Sequence, residues 1–220
     1  MDWTAIGLTL RLAALTTAIL LVIGMPLAYW LARSTWRWKF LIEAVVALPL
    51  VLPPTVLGFY ILIAIGPHSP VGRLYETLTG RLLPFSFQGL LVASVLYSLP
   101  FAVRPFAAAF AGVDWRLVEA SWCLGKSGLQ TFARIVVPLA WAGLLTGIVL
   151  SFAHTVGEFG VVLMVGGNIH GITRTVSVSI YDEVQALNYT AAGQTALFLL
   201  GLSFGVLCVT YALQRRVVVL

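Results

Sequence analysis

The sequence predicts an all-α transmembrane fold, a five-span helical bundle, on three observations. Sixty per cent of the 220 residues are apolar and ten per cent are charged, too little charge to cover a water-soluble domain of this size. The apolar residues gather into five stretches of about twenty residues or more, the length a helix needs to cross the hydrocarbon core of a bilayer. Lys and Arg fall mostly between those stretches, and unevenly, which sets a direction of insertion.

The first stretch covers residues 6–32, with an uncharged core from Leu12. No basic cluster precedes it, so it is expected to be retained as a span rather than cleaved as a secretory signal. The others cover residues 41–65, 87–113, 135–157 and 190–213, giving a single transmembrane domain over 1–220. With the N-terminus outside and the C-terminus inside, the inner side receives Arg33, Arg37, Lys39, Arg104, Arg116, Lys126, Arg134, Arg215 and Arg216. The outer side receives Arg11, Arg73, Arg81 and Arg174. Nine against four favours this orientation, because basic residues resist translocation. The same distribution explains the net charge of +5 without a nucleic-acid partner. Cys123 and Cys208 show neither metal-ligand nor disulfide spacing. The chain has no internal repeat of the kind that marks inverted-repeat transporters.

Two outer segments differ in character. Residues 66–86 carry Gly, Pro and mixed charge and predict a short irregular excursion. Residues 159–189 begin with an apolar run, Phe159 to Val165, too short to span and suited to a re-entrant or interfacial turn.

The inner loop, residues 113–134, predicts two short helices around a glycine. Asp114 is placed to cap the first, Gly125 to end it in the left-handed region, and Ser127 with Gln130 to form a capping box on the second. Trp115, Leu117, Trp122 and Leu124 alternate there with Arg116, Glu119 and Lys126. That mixture suits a docking surface or an interfacial helix with Trp at the headgroups. Gly125-Lys126-Ser127 imitates the end of a phosphate-binding loop. The required glycine five positions earlier is Ala120, however, and the preceding segment reads as helix, so ATP binding by this chain is disfavoured.

Inside the membrane, Pro49, Pro53 and Pro54 must kink or break the second span. Such a break is tolerated where protein or a water-filled cavity covers the freed carbonyls. Gly143/Gly147 and Gly201/Gly205 permit close helix approach, within one subunit or at a dimer seam. His154 and Glu158 lie four apart and share a helix face. Intramembrane ionisable groups often mark a pathway. Glu158 would repel an anion, so it suits a gate or a turn rather than an anion site, and one His with one Glu makes no metal site. Arg104, beside Pro105, either snorkels to the inner headgroups or offers positive charge to an exiting anion. No nucleophile–base pair or metal cluster converges on a pocket, which disfavours an enzyme.

Glu119-Ala120-Ser121, Gly125, Ile135 and Pro138 resemble the EAA motif of importer permeases in the ABC superfamily: E-A-A, three residues, G, nine residues, I, any residue, L, P. Every spacing fits, with Ser121 for the second alanine and Val137 for leucine. Leu48 to Gly58 is similar to the proline-rich second-span motif of molybdate permeases, and Gly157-Glu158-Phe159-Gly160 to a signature shared by molybdate and sulfate permeases. Gly167 to Thr175 resembles the N-I-P-G-x-T-R-T stretch of molybdate permeases, with His170 in place of proline. The likeness runs from about residue 8 to residue 213; some members carry an extra N-terminal span that this sequence does not show.

The resemblance implies a type I ABC importer permease fold. It implies a pore at the interface of two identical permease subunits and a coupling loop carrying Glu119, Ala120, Ser121, Gly125, Ile135 and Pro138. Two cytoplasmic ATPase subunits would dock there and bind the ATP and magnesium, leaving this chain without a cofactor. A periplasmic or extracellular binding protein would deliver molybdate, or tungstate, to the outer face. Pro53, Pro54, Thr55, His154, Gly157, Glu158, Phe159 and Gly160 become gate or pore candidates, and Arg174 an outer docking or anion-guiding candidate. Three alternatives remain open: a sulfate or thiosulfate permease, an ATP-independent channel or secondary transporter relying on His154 and Glu158, and a membrane scaffold.

Overall fold

The computed structural model describes the backbone of residues 1–218 and the side chains of residues 1–212. Arg215 and Arg216, used in the charge count, lie outside the described side chains. The described residues are helical and contain no strand. Among the described residues four helices are long and apolar enough to cross a membrane: α1 (Trp3–Arg33), α5 (Phe87–Ala111), the helix Gly128–Gly157, and α11, whose apolar part is Tyr189–Ala212. A bent pair, α2 (Lys39–Val51) and α3 (Pro54–Ile65), passes the same test when taken together, which makes five spans if the pair is one broken span.

The direction of each helix follows from the core. Leu12 and Leu90, near the starts of α1 and α5, share a buried cluster with Val162 and Val178. Leu31 and Phe110, near their ends, share another with Val136 and Ala140. The two helices therefore run parallel, and the chain between them must return across the bundle. Val46 of α2 lies in the cluster of the helix ends. Ile61 and Ile65 of α3 lie with Leu83, Ala93, Val161 and Val165 at the other end. The α2–α3 pair is that return, bent by 117°.

The second span read over 41–65 is thus broken into an elbow at the prolines expected to kink or break it. Pro53 and Pro54 lack the N–H groups that would carry the hydrogen-bond ladder. The residue before a proline is driven to extended backbone, and Leu52 (ψ 138°) and Pro53 (ψ 136°) are both extended. Pro49 stays inside α2.

Two outer segments and the inner loop show what the sequence left open or read differently. Residues 66–86 hold a regular helix, α4 (Pro70–Thr79), rather than an irregular excursion. Ser69 caps it by accepting from Gly72 N, Pro70 starts it and left-handed Gly80 ends it. The apolar run after Phe159 forms α9 (Gly160–Gly166), with Val161, Val162 and Val165 fully buried, so protein rather than lipid covers it. The second short helix of the inner loop, α7 (Gly128–Thr131), does not stop. It passes through a π turn (Phe132–Val136) into α8 (Val137–Gly157), making one 30-residue helix. Pro138 would crowd the carbonyl four residues back, and the π turn widens the register there, so that Val137 N donates to Phe132 O instead.

Gly143 and Gly147 pack α8 against α5. A Cβ on Gly147 would stand 2.7 Å from Phe106 Cδ1 and 3.0 Å from Ala102 O, so this pair serves packing within the subunit. Gly201 and Gly205 face open space on α11, whose apolar window is only 11% buried within the chain.

Candidate functional site

Two groups of residues stand out at opposite ends of the bundle. At one end lies the loop of α6 (Trp115–Cys123) and α7. Asp114 Oδ1 accepts from Arg116 N at 3.0 Å and starts α6. Gly125, at φ +73°, ends it: Lys126 N donates to Ser121 O and Gly125 N to Trp122 O, a paired closure that needs a residue free to adopt the left-handed region. The capping box read from the sequence is present, with both Ser127–Gln130 bonds made at 3.3 Å.

This loop is anchored on one side and open on the other. Val118 and Ser121 are buried, and the Ser121 and Thr131 hydroxyls meet at 2.9 Å, joining α6 to α7. Trp115 turns inward, where Arg33 lies 3.1 Å over its ring and Trp122 meets it edge-on. Glu119, Ala120, Leu117, Trp122, Leu124 and Leu129 remain exposed. Ile135 sits half-buried in the π turn and Pro138 just beyond it is exposed. Exposed apolar side chains beside a glutamate with no partner among the described residues suit a protein surface.

The other group surrounds Glu158, where α8 ends. Glu158 is 3% exposed. Ser94 Oγ donates to its Oε2 at 2.6 Å and Ser98 Oγ to its Oε1 at 2.7 Å. Ser98 Oγ also lies 2.9 Å from Thr155 Oγ1 and from His154 Nδ1. His154 stacks on Phe101 at 3.8 Å and lies 4.6 Å from the Tyr97 ring. Two helices supply the cluster by the same spacing: Ser94 and Ser98 on α5 face His154 and Glu158 on antiparallel α8. A carboxylate so deep needs such donors, because an unpaired buried charge is costly.

The cluster borders a cavity of about 600 Å³ lined by Pro54, Thr55, Tyr97, His154, Gly157, Glu158, Phe159, Gly160, Leu163 and Met164, among others. Of the sequence-read gate candidates, Pro53 alone is outside this lining; it stands in the elbow one residue before α3. Gly160 and Gly58 let α3 and α9 approach closely, since a Cβ on Gly160 would sit 2.9 Å from Pro54 Cβ and one on Gly58 2.8 Å from Met164 Cβ. Sequence reasoning missed Ser94, Ser98, Tyr97 and Met164. Two serines four apart in an apolar span are a signal complementary to the His154–Glu158 pair, and that match was available.

Arg174 is drawn into a third arrangement. Its guanidinium lies 3.0 Å from Asp182 Oδ2, and its Nε donates to Asn168 Oδ1 at 2.7 Å. Asn168 Nδ2 in turn donates to Asp182. Thr173 Oγ1, fully buried, donates to Gly166 O, and Val176 N donates to Thr9 Oγ1. The Gly167–Thr175 stretch is therefore a clasp between α9, α10 (Val176–Gln185) and α1. Among the described residues no three of His, Cys, Asp and Glu gather as a metal site.

A bundle of long apolar helices and a bent helix pair, with a capped polar-apolar loop at one end and a cavity beside a buried glutamate at the other, is the architecture of a multi-pass membrane protein. The chain belongs to the family of binding-protein-dependent transport system inner membrane components, whose model matches residues 24–219. It is 54% identical, over 97% of its length and 95% of the relative's, to the molybdenum transport system permease protein ModB of Azotobacter vinelandii. It is 37% identical to ModB of Escherichia coli strain K12 over 84% of this chain and 80% of that one. Its fold also matches a chain of a bacterial alginate ABC transporter solved in complex with an alginate-bound periplasmic protein, with a TM-score of 0.77 at 16% identity, covering 97% of this chain and 78% of that one.

Proposed function

We propose that this chain is the pore-forming permease of an ATP-driven molybdate importer. It works as a homodimer, with the α6–α7 loop in the cytosol and the N-terminus and Glu158 cluster toward the outside. The positive-inside count supports that orientation, and kinship with two molybdenum permeases supports the cargo. The ATP and its magnesium are bound by ATPase subunits seated on Glu119, Ala120 and the neighbouring exposed side chains. A binding protein delivers the dianion to the outer face.

The observation that carries the mechanism is one continuous helix. Gly128–Gly157 begins in the docking loop and ends beside Glu158, a length of roughly 45 Å at about 1.5 Å per residue. A shift imposed on α6 and α7 reaches the cavity as a movement of that rod, because packed helices shift as units between discrete arrangements. At the cavity the rod meets α5 beside Glu158 and continues through Glu158 and Phe159 into α9, which packs on α3 at Gly160, so a movement of α8 is passed to the elbow through α9. Affinity for the anion resides in the binding protein; a shallow permease site favours release.

The test is uptake into vesicles reconstituted with this permease, its ATPase and its binding protein, with molybdate, tungstate and sulfate in competition. Binding-protein-dependent, ATP-driven molybdate uptake is expected. Preference for sulfate at equal concentration assigns the chain to sulfate import instead, and uptake without the ATPase identifies an ion-coupled transporter.

A further inference from the structure

A second cavity, of about 390 Å³, lies at the docking-loop end of the bundle between the end of α1, α2 and α5. Lys39, Glu43, Arg104, Ala107, Ala108 and Ala111 are among the residues that line it. Its charges do not cancel. Lys39 and Glu43 pair across one helical turn at 3.8 Å, and Lys39 also donates to Leu31 O at 3.3 Å. Arg104 is exposed and has no hydrogen-bond or ion-pair partner among the described residues. It stands seven residues before the end of α5, roughly 10 Å along the helix axis, in a segment otherwise apolar. An intramembrane arginine without an acidic partner is costly unless water or a ligand reaches it. The neighbouring alanines keep room around it.

Arg104 also lies in register with the outer cavity. Tyr97, Phe101, Arg104, Ala108 and Ala111 follow one another at spacings of four, three, four and three, so they form one stripe along α5. Tyr97 lines the outer cavity and Arg104 and Ala108 the inner one. The elbow spans both, with α3 bordering the outer cavity through Pro54 and Thr55 and α2 the inner one through Lys39, Glu43 and Val46. Along this stripe the surroundings change from a carboxylate already satisfied by serines to an unneutralised guanidinium.

We infer that Arg104 forms a transit site for the oxyanion on the inner side of the elbow, holding it through charge-assisted hydrogen bonds before release. This rests on the anion-import reading for its cargo. It differs from snorkelling, in which the guanidinium serves only the headgroups and the cavity never receives the anion.

The experiment reads local potential rather than uptake alone. In the assembled, nucleotide-free transporter with Cys123→Ser and Cys208→Ser, a single thiol introduced by Ala108→Cys is labelled from the docking-loop side with an anionic and with a cationic methanethiosulfonate. With Arg104 present the anionic reagent reacts faster. Arg104→Gln is expected to lower the anionic-to-cationic rate ratio roughly fivefold, the scale of one nearby charge at high effective dielectric, and Arg104→Lys to restore most of it. Millimolar molybdate added to the Arg104 parent is expected to slow reaction of the Ala108→Cys thiol with the anionic reagent, a measurement that needs no Arg104 variant to fold. An unchanged ratio in Arg104→Gln, no protection by either molybdate or sulfate in the parent, or no labelling by either reagent overturns the site. Should sulfate protect and molybdate not, the cargo assignment falls while the anion site stands.

Discussion

Glu119 and Glu158 are both motif glutamates, and they meet opposite fates. Glu158 is buried, and both carboxylate oxygens are taken by Ser94 and Ser98. Glu119 is exposed on α6, among apolar side chains that the bundle does not cover. A buried charge is tolerated when its own chain supplies the donors, so Glu158 is committed to holding α8 against α5. Glu119, exposed on an anchored helix, has no hydrogen-bond or ion-pair partner among the described residues and so adds little to the fold. The same residue type thus ties the bundle together at one end and stays on the exposed surface at the other, where the proposed function seats a partner.

The comparison breaks most visibly at Glu158. Glu158→Ala strands the Ser94 hydroxyl and removes one of the partners of Ser98, and should cost about 2–4 kcal/mol, read as a lower thermal midpoint of the purified permease in detergent. Glu158→Gln keeps an acceptor and should cost less; equal losses would mean that shape, not the carboxylate, holds the seam. Glu119→Arg should do the reverse. Its melting should stay within about 0.5 kcal/mol of the parent, while ATP-driven uptake in reconstituted vesicles falls by roughly an order of magnitude. Unchanged uptake would remove Glu119 from the docking surface.

Between these extremes sits the loop's own scaffold. Gly125→Val forces a β-branched residue to φ +73° and should destabilise by about 1–2 kcal/mol, with ATPase stimulation lost along with the loop geometry. Ser121→Ala strands the Thr131 hydroxyl and should cost about 1 kcal/mol, visible in melting and weak in transport. A larger transport defect than a melting defect in Ser121→Ala would place that face at the docking surface too.

Much of the docking loop was legible because its signals are local. Asp114, Gly125, Ser127 and Gln130 act within a few residues of themselves, so their types and spacings suffice to place two caps and a turn. The loop's second helix was read as separate because the widening before Pro138 that lets it continue is a register change no spacing announces. The outer cavity was half legible. His154 and Glu158 mark α8 by their cost in an apolar segment, but their partners Ser94 and Ser98 are about sixty positions away on α5.

What the amino-acid order determined alone is the lipid-facing composition, the helix ends, the break at Pro53–Pro54 and the capped inner loop, since each follows from side-chain chemistry acting over one or two turns. Only the tertiary structure decided how sharply the second span bends, which faces of α1, α5 and α8 meet, that Glu158 is satisfied while Arg104 has no partner among the described residues, and that Arg174 is spent on Asp182 and Asn168. Those outcomes depend on which helix faces which, and helix neighbours are chosen by burial and packing across the whole bundle.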